Sequence, residues 1–133
     1  MLKIRKIISG GQTGADRAAF DFALEKEIEI GGFVPKNRTA EDGKISDKYP
    51  NLLETRAKNP VRRTEMNVKY SDATLILSHG KLTGGSKKTL QLAEKHLKPF
   101  LHLDFAETSL KEAAAKTKKW LKSINCAELN IAG

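Results

Sequence analysis

Ile4-Arg5-Lys6-Ile7-Ile8-Ser9-Gly10-Gly11-Gln12-Thr13-Gly14-Ala15-Asp16-Arg17-Ala18-Ala19-Phe20-Asp21-Phe22-Ala23 is the stretch on which the fold turns. Ile4 to Ser9 is a short, mostly apolar run that stops at glycine, which suits a buried strand. From Thr13 to Lys26 apolar residues recur at Ala15, Ala18, Ala19, Phe22 and Ala23, the spacing of one helical face. Thr13 reads as the N-cap, and Asp16, three residues on, as the acid that returns the bond in an Asp variant of the capping box. A strand that enters a helix through a glycine-rich loop opens a βαβ unit.

The alternation continues along the chain. Glu29 to Val34 reads as a second strand weakened by Gly31-Gly32, and Val61 to Ser71 as a helix with Pro60 at its entrance. Asp72 to Ser78 is the clearest strand. Ser86 to Leu97 reads as a helix with Thr89, Leu92, Ala93, His96 and Leu97 on one face, stopped by Pro99. Phe100 to Leu103 is the next strand. Ser109-Leu110-Lys111-Glu112 is a capping box that opens a helix to about Ser123, with Ala113, Ala114, Trp120, Leu121 and Ile124 facing in. Ala127 to Ala132 is the last strand.

Strands alternating with helices predict an α/β fold. The form expected is a Rossmann-like three-layer sandwich with a mainly parallel five-stranded sheet in the order 2-1-3-4-5, one domain over residues 1–133. Between Pro35 and Pro60 the periodicity disappears. A stretch of that length inside a compact domain is usually functional or disordered. Tyr49, Leu52 and Leu53 can pin it to the body, which favours an ordered binding loop.

Composition narrows the function classes. The chain has 133 residues, with 39% hydrophobic and 30% charged, a globular balance for one domain. No apolar run approaches the ~20 residues of a membrane helix. The start carries charge and lacks a signal-peptide core, so a cytoplasmic location is expected. Cys126 is the sole cysteine, which leaves no intramolecular disulfide and no cysteine-based zinc site. The net charge is +8. Most of it is Lys dispersed along helix faces, as at Lys116, Lys118, Lys119 and Lys122, and aromatic residues are only 6%, too few for a base-stacking platform. Nucleic acid or another polyanion is the least favoured partner.

In an open parallel sheet the ligand sits at the carboxyl ends of the strands. Two loops are built for that place. In Ser9-Gly10-Gly11-Gln12-Thr13-Gly14 the glycines allow a close backbone approach, and the following helix aims its free N–H groups at the crevice. The loop lacks the Lys-Ser/Thr pair of a P-loop and the strict G-x-G-x-x-G spacing. Leu82-Thr83-Gly84-Gly85-Ser86 repeats the device before a second helix. Together these loops can hold a phosphate-bearing small molecule from two sides.

Other candidates surround them. Arg63 can reach a phosphate and Glu65 a ribose, pterin or amino group; a solvated helix start is the other reading. Asp16 and Arg17 read as a surface pair. Arg38, Glu41 and Asp42 lie in the long loop and can close over a ligand. His79 ends the clearest strand, where an ordinary loop histidine is the plainer account. His102 reads as a satisfied strand residue and His96 as facing the core. No metal-ligand set is visible, and Ser9 and Ser78 have no sequence-local base. The candidate binding residues are therefore Gly10, Gly11, Gln12, Thr13, Gly14, Asp16, Arg38, Arg63, Glu65, His79, Thr83, Gly84, Gly85 and Ser86, with no catalytic or metal-binding residue assigned.

The run from Ile8 to Ala19, then Gly32-Phe33-Val34-Pro35-Lys36, Ala40-Glu41-Asp42-Gly43 and Tyr49-Pro50, resembles the molybdenum cofactor carrier protein family. So do Arg63-Thr64-Glu65-Met66-Asn67-Val68, Ser71-Asp72-Ala73-Thr74-Leu75-Ile76, Leu82-Thr83-Gly84-Gly85-Ser86 and Leu129-Asn130-Ile131-Ala132-Gly133. That family is grouped with Rossmann-like proteins that include the lysine-decarboxylase-like phosphoribohydrolases. The resemblance implies a small homo-oligomeric protein whose cargo is the molybdenum cofactor, a pyranopterin phosphate, or a related nucleotide-like ligand. Molybdoenzymes or cofactor-biosynthesis proteins are the implied partners. By position, Gly10, Gly11, Thr13, Gly14 and Thr83 to Ser86 would contact the ligand phosphate.

Two departures matter. The hydrolases carry P-G-G-x-G-T-x-x-E, where this chain has Thr83-Gly84-Gly85-Ser86-Lys87-Lys88-Thr89-Leu90-Gln91, and Gln91 cannot serve as a general acid. Family members also continue past the Ala-Gly pair at which this sequence stops, so any contact from such a tail is expected to be missing. The leading expectation is a carrier with no chemical step. A nucleotide-processing hydrolase using Asp16, Glu65 or His79 is the alternative.

Overall fold

The computed structural model describes residues 3–56 and 59–133. Its centre is a six-stranded sheet in the order β5-β2-β1-β8-β6-β7. The strands are β1 (Lys6–Ile8), β2 (Glu29–Val34), β5 (Leu52–Glu54), β6 (Ala73–Ser78), β7 (Phe100–Asp104) and β8 (Glu128–Ala132). Every pairing in it is parallel. The helices are α1 (Ala15–Glu25), α2 (Pro60–Lys69), α3 (Gly84–Lys95) and α4 (Leu110–Ser123), and a small hairpin joins β3 (Thr39–Ala40) to β4 (Gly43–Lys44).

The Rossmann-like α/β class is as expected; strand count and order are corrected. Five strands in the order 2-1-3-4-5 become six, because Leu52–Glu54 adds an edge beside β2. The last strand does not lie at the far side. It inserts between β1 and β6, with Ile7 beside Leu129 and Leu75 beside Ile131. Asp72 fixes the insertion by accepting from the N–H groups of Ala127 (3.0 Å) and Glu128 (2.8 Å).

Alternation along the strands sorts the two layers. Ile7, Leu129, Ala73, Leu75 and Leu103 pack with Ala19, Phe20 and Ala23 of α1 and Ala113 of α4. The opposite side is smaller, built on Val68 of α2 and Leu92 and Ala93 of α3, with Phe100 against them. Trp120, Leu121 and Ile124 are half-buried as expected, but Ala114 is exposed, because Ala113 alone of that pair faces the sheet.

Local expectations fail where one residue shifts a face. Phe20, not Phe22, fills the core under α1; Phe22 is 50% exposed. Thr13 does not cap α1. Gly14 holds the cap position at φ 81° with no side-chain bond, and Asp16 turns back to the Gln12 N–H instead. His96 caps the end of α3, and Leu97 follows at φ 54° and is exposed, since a helix that stops in the left-handed region turns its next side chain outward. Ser109 caps α4, accepting from the Glu112 N–H at 3.1 Å.

The Pro35–Pro60 stretch includes Ala57 and Lys58, which lie outside the described residues. The rest is ordered around two buried side chains, Ile45 and Tyr49. Tyr49 packs against Phe20 with the rings tilted by 40° and their centroids 5.4 Å apart, and its hydroxyl donates to Asp21 at 2.6 Å. Leu53, expected as a pin, points outward at 58% exposure; Leu52 is half-buried.

Candidate functional site

Because the sheet is parallel, the carboxyl ends of β1, β6 and β8 open on one side. A cleft of about 660 Å³ lies there. Each wall is set by the loop that leaves a strand.

The first wall is Ser9 to Asp16. Ser9 is fully buried; its hydroxyl donates to the Asp16 carbonyl (3.1 Å) and accepts from the Gly11 N–H (3.1 Å). This bends the loop so that Gly11, at φ 72°, faces inward on Ile45 and Val34. Gly10, Gln12, Thr13, Gly14 and Ala15 line the cleft. Since no side chain caps α1, its first N–H groups point into the open space, the arrangement that favours an oxyanion.

The β3–β4 hairpin closes over this wall. Gln12 donates to the Thr39 carbonyl and accepts from the Glu41 N–H, both at 3.1 Å. Arg17 donates to the Gly11 carbonyl at 3.1 Å and forks onto Asp42 through both guanidinium ends. Glu41 stands on the cleft rim. Arg38 lies away from it, bracing the loop by donating to the carbonyls of Ser46 (2.6 Å) and Tyr49 (3.0 Å).

Helix α2 supplies Arg63, Thr64 and Asn67. Asn59 caps the helix, with Pro60 in its first turn, and this orients the three side chains. Arg63 donates from Nη1 to the Gly10 carbonyl at 3.2 Å, while its Nε is buried without a partner among the described residues. Burial pushes the guanidinium pKa down, and Asp16 nearby opposes that. Asn67 clamps β2, accepting from the Phe33 N–H (2.7 Å) and donating to the Phe33 carbonyl (3.1 Å). Glu65 faces away. It pairs with His96 at 2.8 Å and Lys95 at 3.1 Å, and hydrogen bonds from these two partners hold its pKa down at about 2.

The far wall begins at the end of β6. His79 lines the cleft and is exposed. Ser78 has a partner the sequence hid: His102 Nε2 on β7, 2.6 Å from its hydroxyl. The Ser78 hydroxyl also meets the Gly80 carbonyl at 2.8 Å. A carbonyl cannot donate, so the bonding that satisfies all three groups has Ser78 donating to Gly80 and His102 donating to Ser78. That protonation leaves the serine unactivated. Gly85 opens on the cleft, and Thr89, one turn on, donates to its carbonyl at 3.0 Å. Thr83, Gly84 and Ser86 are not among the residues that line it. Asn130, Ile131 and Ala132 of the inserted β8, with Gly133 after it, form the floor, and Leu77 and Phe105 add apolar surface.

Of the residues expected from sequence, the cleft brings together Gly10, Gln12, Thr13, Gly14, Asp16, Arg63, His79 and Gly85, and leaves Gly11, Arg38, Glu65, Thr83, Gly84 and Ser86 off its lining. Asn67, Thr89 and Asn130 were missed. Asn67 follows Arg63, and Thr89 follows Gly85, at the i, i+4 spacing of one helix face, a signal that was present. Asn130, buried beside Thr74, was legible only as a polar break in an apolar strand. Among the described residues no three His, Cys, Asp or Glu side chains group as a metal set, and no helix is long and apolar enough to cross a membrane.

Residues 7–133 match the model of the circularly permutated YpsA SLOG family. A crystal structure of a "putative molybdenum carrier protein" from Syntrophus aciditrophicus SB superposes with a TM-score of 0.96. That protein is 50% identical over 99% of this chain and 83% of its own. No curated protein matches the chain.

Proposed function

The chain belongs to the circularly permuted YpsA SLOG family, and we propose that it binds and carries a phosphate-bearing cofactor, the molybdenum cofactor or a nucleotide-like relative. The observation that carries this reading is that the uncapped start of α1, led in by Gly14, and Gly85 in the first turn of α3 line one cleft. Its volume lies within the range of about 300–1,000 Å³ usual for small-ligand sites. The phosphate end would be held by the first N–H groups of α1, by the backbone of Gly85 and by Arg63, whose buried Nε lacks a partner among the described residues. A pterin ring would find apolar surface on Leu77, Phe105 and Ile131, and amide partners in Asn67 and Asn130. The molybdenum-carrier name of the relative supports the choice of cargo. Delivery to molybdoenzymes or cofactor-biosynthesis proteins, and assembly as a homo-oligomer in the cytoplasm, belong to the same proposal.

The test is co-elution. Molybdenum cofactor released anaerobically from a donor molybdoenzyme is mixed with the protein, and the protein peak from gel filtration is assayed for oxidised pterin fluorescence. Stoichiometric pterin in the protein peak, reduced in Gly85→Val, is expected. Pterin that never travels with the protein overturns the reading.

A nucleotide-processing hydrolase is the second reading, favoured by Asp16, whose pKa burial pushes up to about 6 within the cleft. Release of base or phosphate from a nucleotide panel, lost in Asp16→Asn, would replace the carrier reading.

A further inference from the structure

An anion site with a carboxyl group in its wall poses a problem of charge. Asp16 lies in the first turn of α1, with Oδ2 accepting from the Gln12 N–H at 3.1 Å. The charged groups around it come from each neighbouring element. Arg17 lies on its own helix, Arg63 on α2 and Glu41 on the hairpin; His79 lines the same cleft from β6. Neither arginine forms an ion pair with it among the described residues. Arg17 is engaged with Asp42 and the Gly11 carbonyl, and Arg63 with the Gly10 carbonyl. The carboxyl is half-buried in the cleft wall, with one backbone donor. Burial therefore dominates and pushes its pKa up to about 6; the Gln12 bond and Arg63 pull against it, and Glu41 adds to the rise.

An oxyanion seated at the start of α1 lies beside this carboxyl. Two negative groups that share a site resist joint ionisation, whereas one proton between them makes a short, charge-assisted O–H···O bond. The N–H groups of α1 and the Arg63 guanidinium supply donors only, so a protonated Asp16 adds one more donor to the same cradle. In its ionised form it subtracts charge complementarity.

We propose that Asp16 determines the specificity of the cleft by taking up one proton as the anion binds, its carboxyl O–H then donating to a ligand oxygen. This rests on the anion-binding reading above and names the ligand's contacting group, an unprotonated oxygen of a phosphate or similar oxyanion. The proton comes from solvent and returns to it on release. No heavy-atom bond forms or breaks. Cargo is held more tightly as pH falls and is let go as pH rises.

Sulfate is the probe, because it stays a dianion across the range used and any proton uptake must be the protein's. With the carboxyl titrating near 6 and only its protonated form binding, sulfate affinity should fall roughly fiftyfold from about pH 6 to about pH 8. Calorimetry in buffers of different ionisation enthalpy at about pH 7.5 should read close to one proton taken up per sulfate. Asp16→Asn should bind with no uptake and without the slope, and at about pH 8 more tightly than the parent. His79→Gln should keep the slope. A flat parent profile, a slope that survives in Asp16→Asn, or one that vanishes in His79→Gln overturns the proposal and leaves the anion site standing. No sulfate binding at any pH overturns the anion site and this proposal with it.

Discussion

Replacing Asp16 with Asn should stabilise the protein, and the gain should depend on pH in a set direction. In the folded chain burial raises the Asp16 pKa from the ordinary 3.8 to about 6. A carboxyl with a raised folded pKa binds more protons folded than unfolded between those values, so stability falls as pH rises through that window. The rise corresponds to a destabilisation of ~3 kcal/mol at most, absent below the unfolded value and fully developed above about pH 6. Asn keeps an oxygen for the Gln12 N–H and removes the charge. Urea denaturation without sulfate or phosphate, at about pH 4, 6 and 8, is the assay. Asp16→Asn should exceed the parent by up to ~3 kcal/mol at about pH 8, with the gap closing near pH 4. A difference that is constant with pH, or that grows in acid, would refute the claim that burial dominates this carboxyl.

Two glycines with the same letters should respond in opposite ways. A Cβ on Gly85 meets nothing within 4 Å, so Gly85→Ala should stabilise α3 by up to about 1 kcal/mol while narrowing the cleft and weakening sulfate binding. Gly11 sits at φ 72° and a Cβ would come within 2.8 Å of Ile45 Cδ1, so Gly11→Ala should lower stability by about 2 kcal/mol or more, seen as a lower Tm. Glu65→Gln should leave sulfate affinity unchanged, because its carboxylate is held by His96 and Lys95 away from the cleft. With its pKa held down at about 2, the stability it contributes is present above about pH 4.5 and lost as pH falls towards 2, so the variant should match the parent in acid.

The βαβ alternation was legible because it is local: a glycine after an apolar run, an i, i+4 stripe, a proline after a helix. Strand order was not, because it depends on pairing across the chain. Leu129 and Asn130 are adjacent and both buried, which in a strand means that both faces are covered. That is the mark of a central strand. An uncharged run, Leu129-Asn130-Ile131-Ala132, already carried the hint, whereas reading strands outward in chain order placed it at the edge. Leu52–Glu54 escaped because three residues among prolines show no period.

The candidate site shows the same limit at Gly10, and it can be tested there. Sequence marks Gly10 and Gly11 alike as cradle residues, yet what each faces comes from elsewhere in the chain: Ile45 behind Gly11, Arg63 over Gly10. A Cβ on Gly10 would collide with Arg63 Nη1 and stand 3.1 Å from Asp16 Oδ2. Arg63 Nη1 is the far end of a flexible side chain, so Gly10→Ala should displace the guanidinium and spare the core, with a Tm near the parent's. Sulfate affinity should fall as far as it does in Arg63→Ala. In the double variant the second change should cost nothing more, because the first has already removed the arginine from the cradle. Additive losses would mean that Gly10 serves the ligand through its own backbone and that Arg63 acts independently, which the bond from Arg63 to the Gly10 carbonyl argues against.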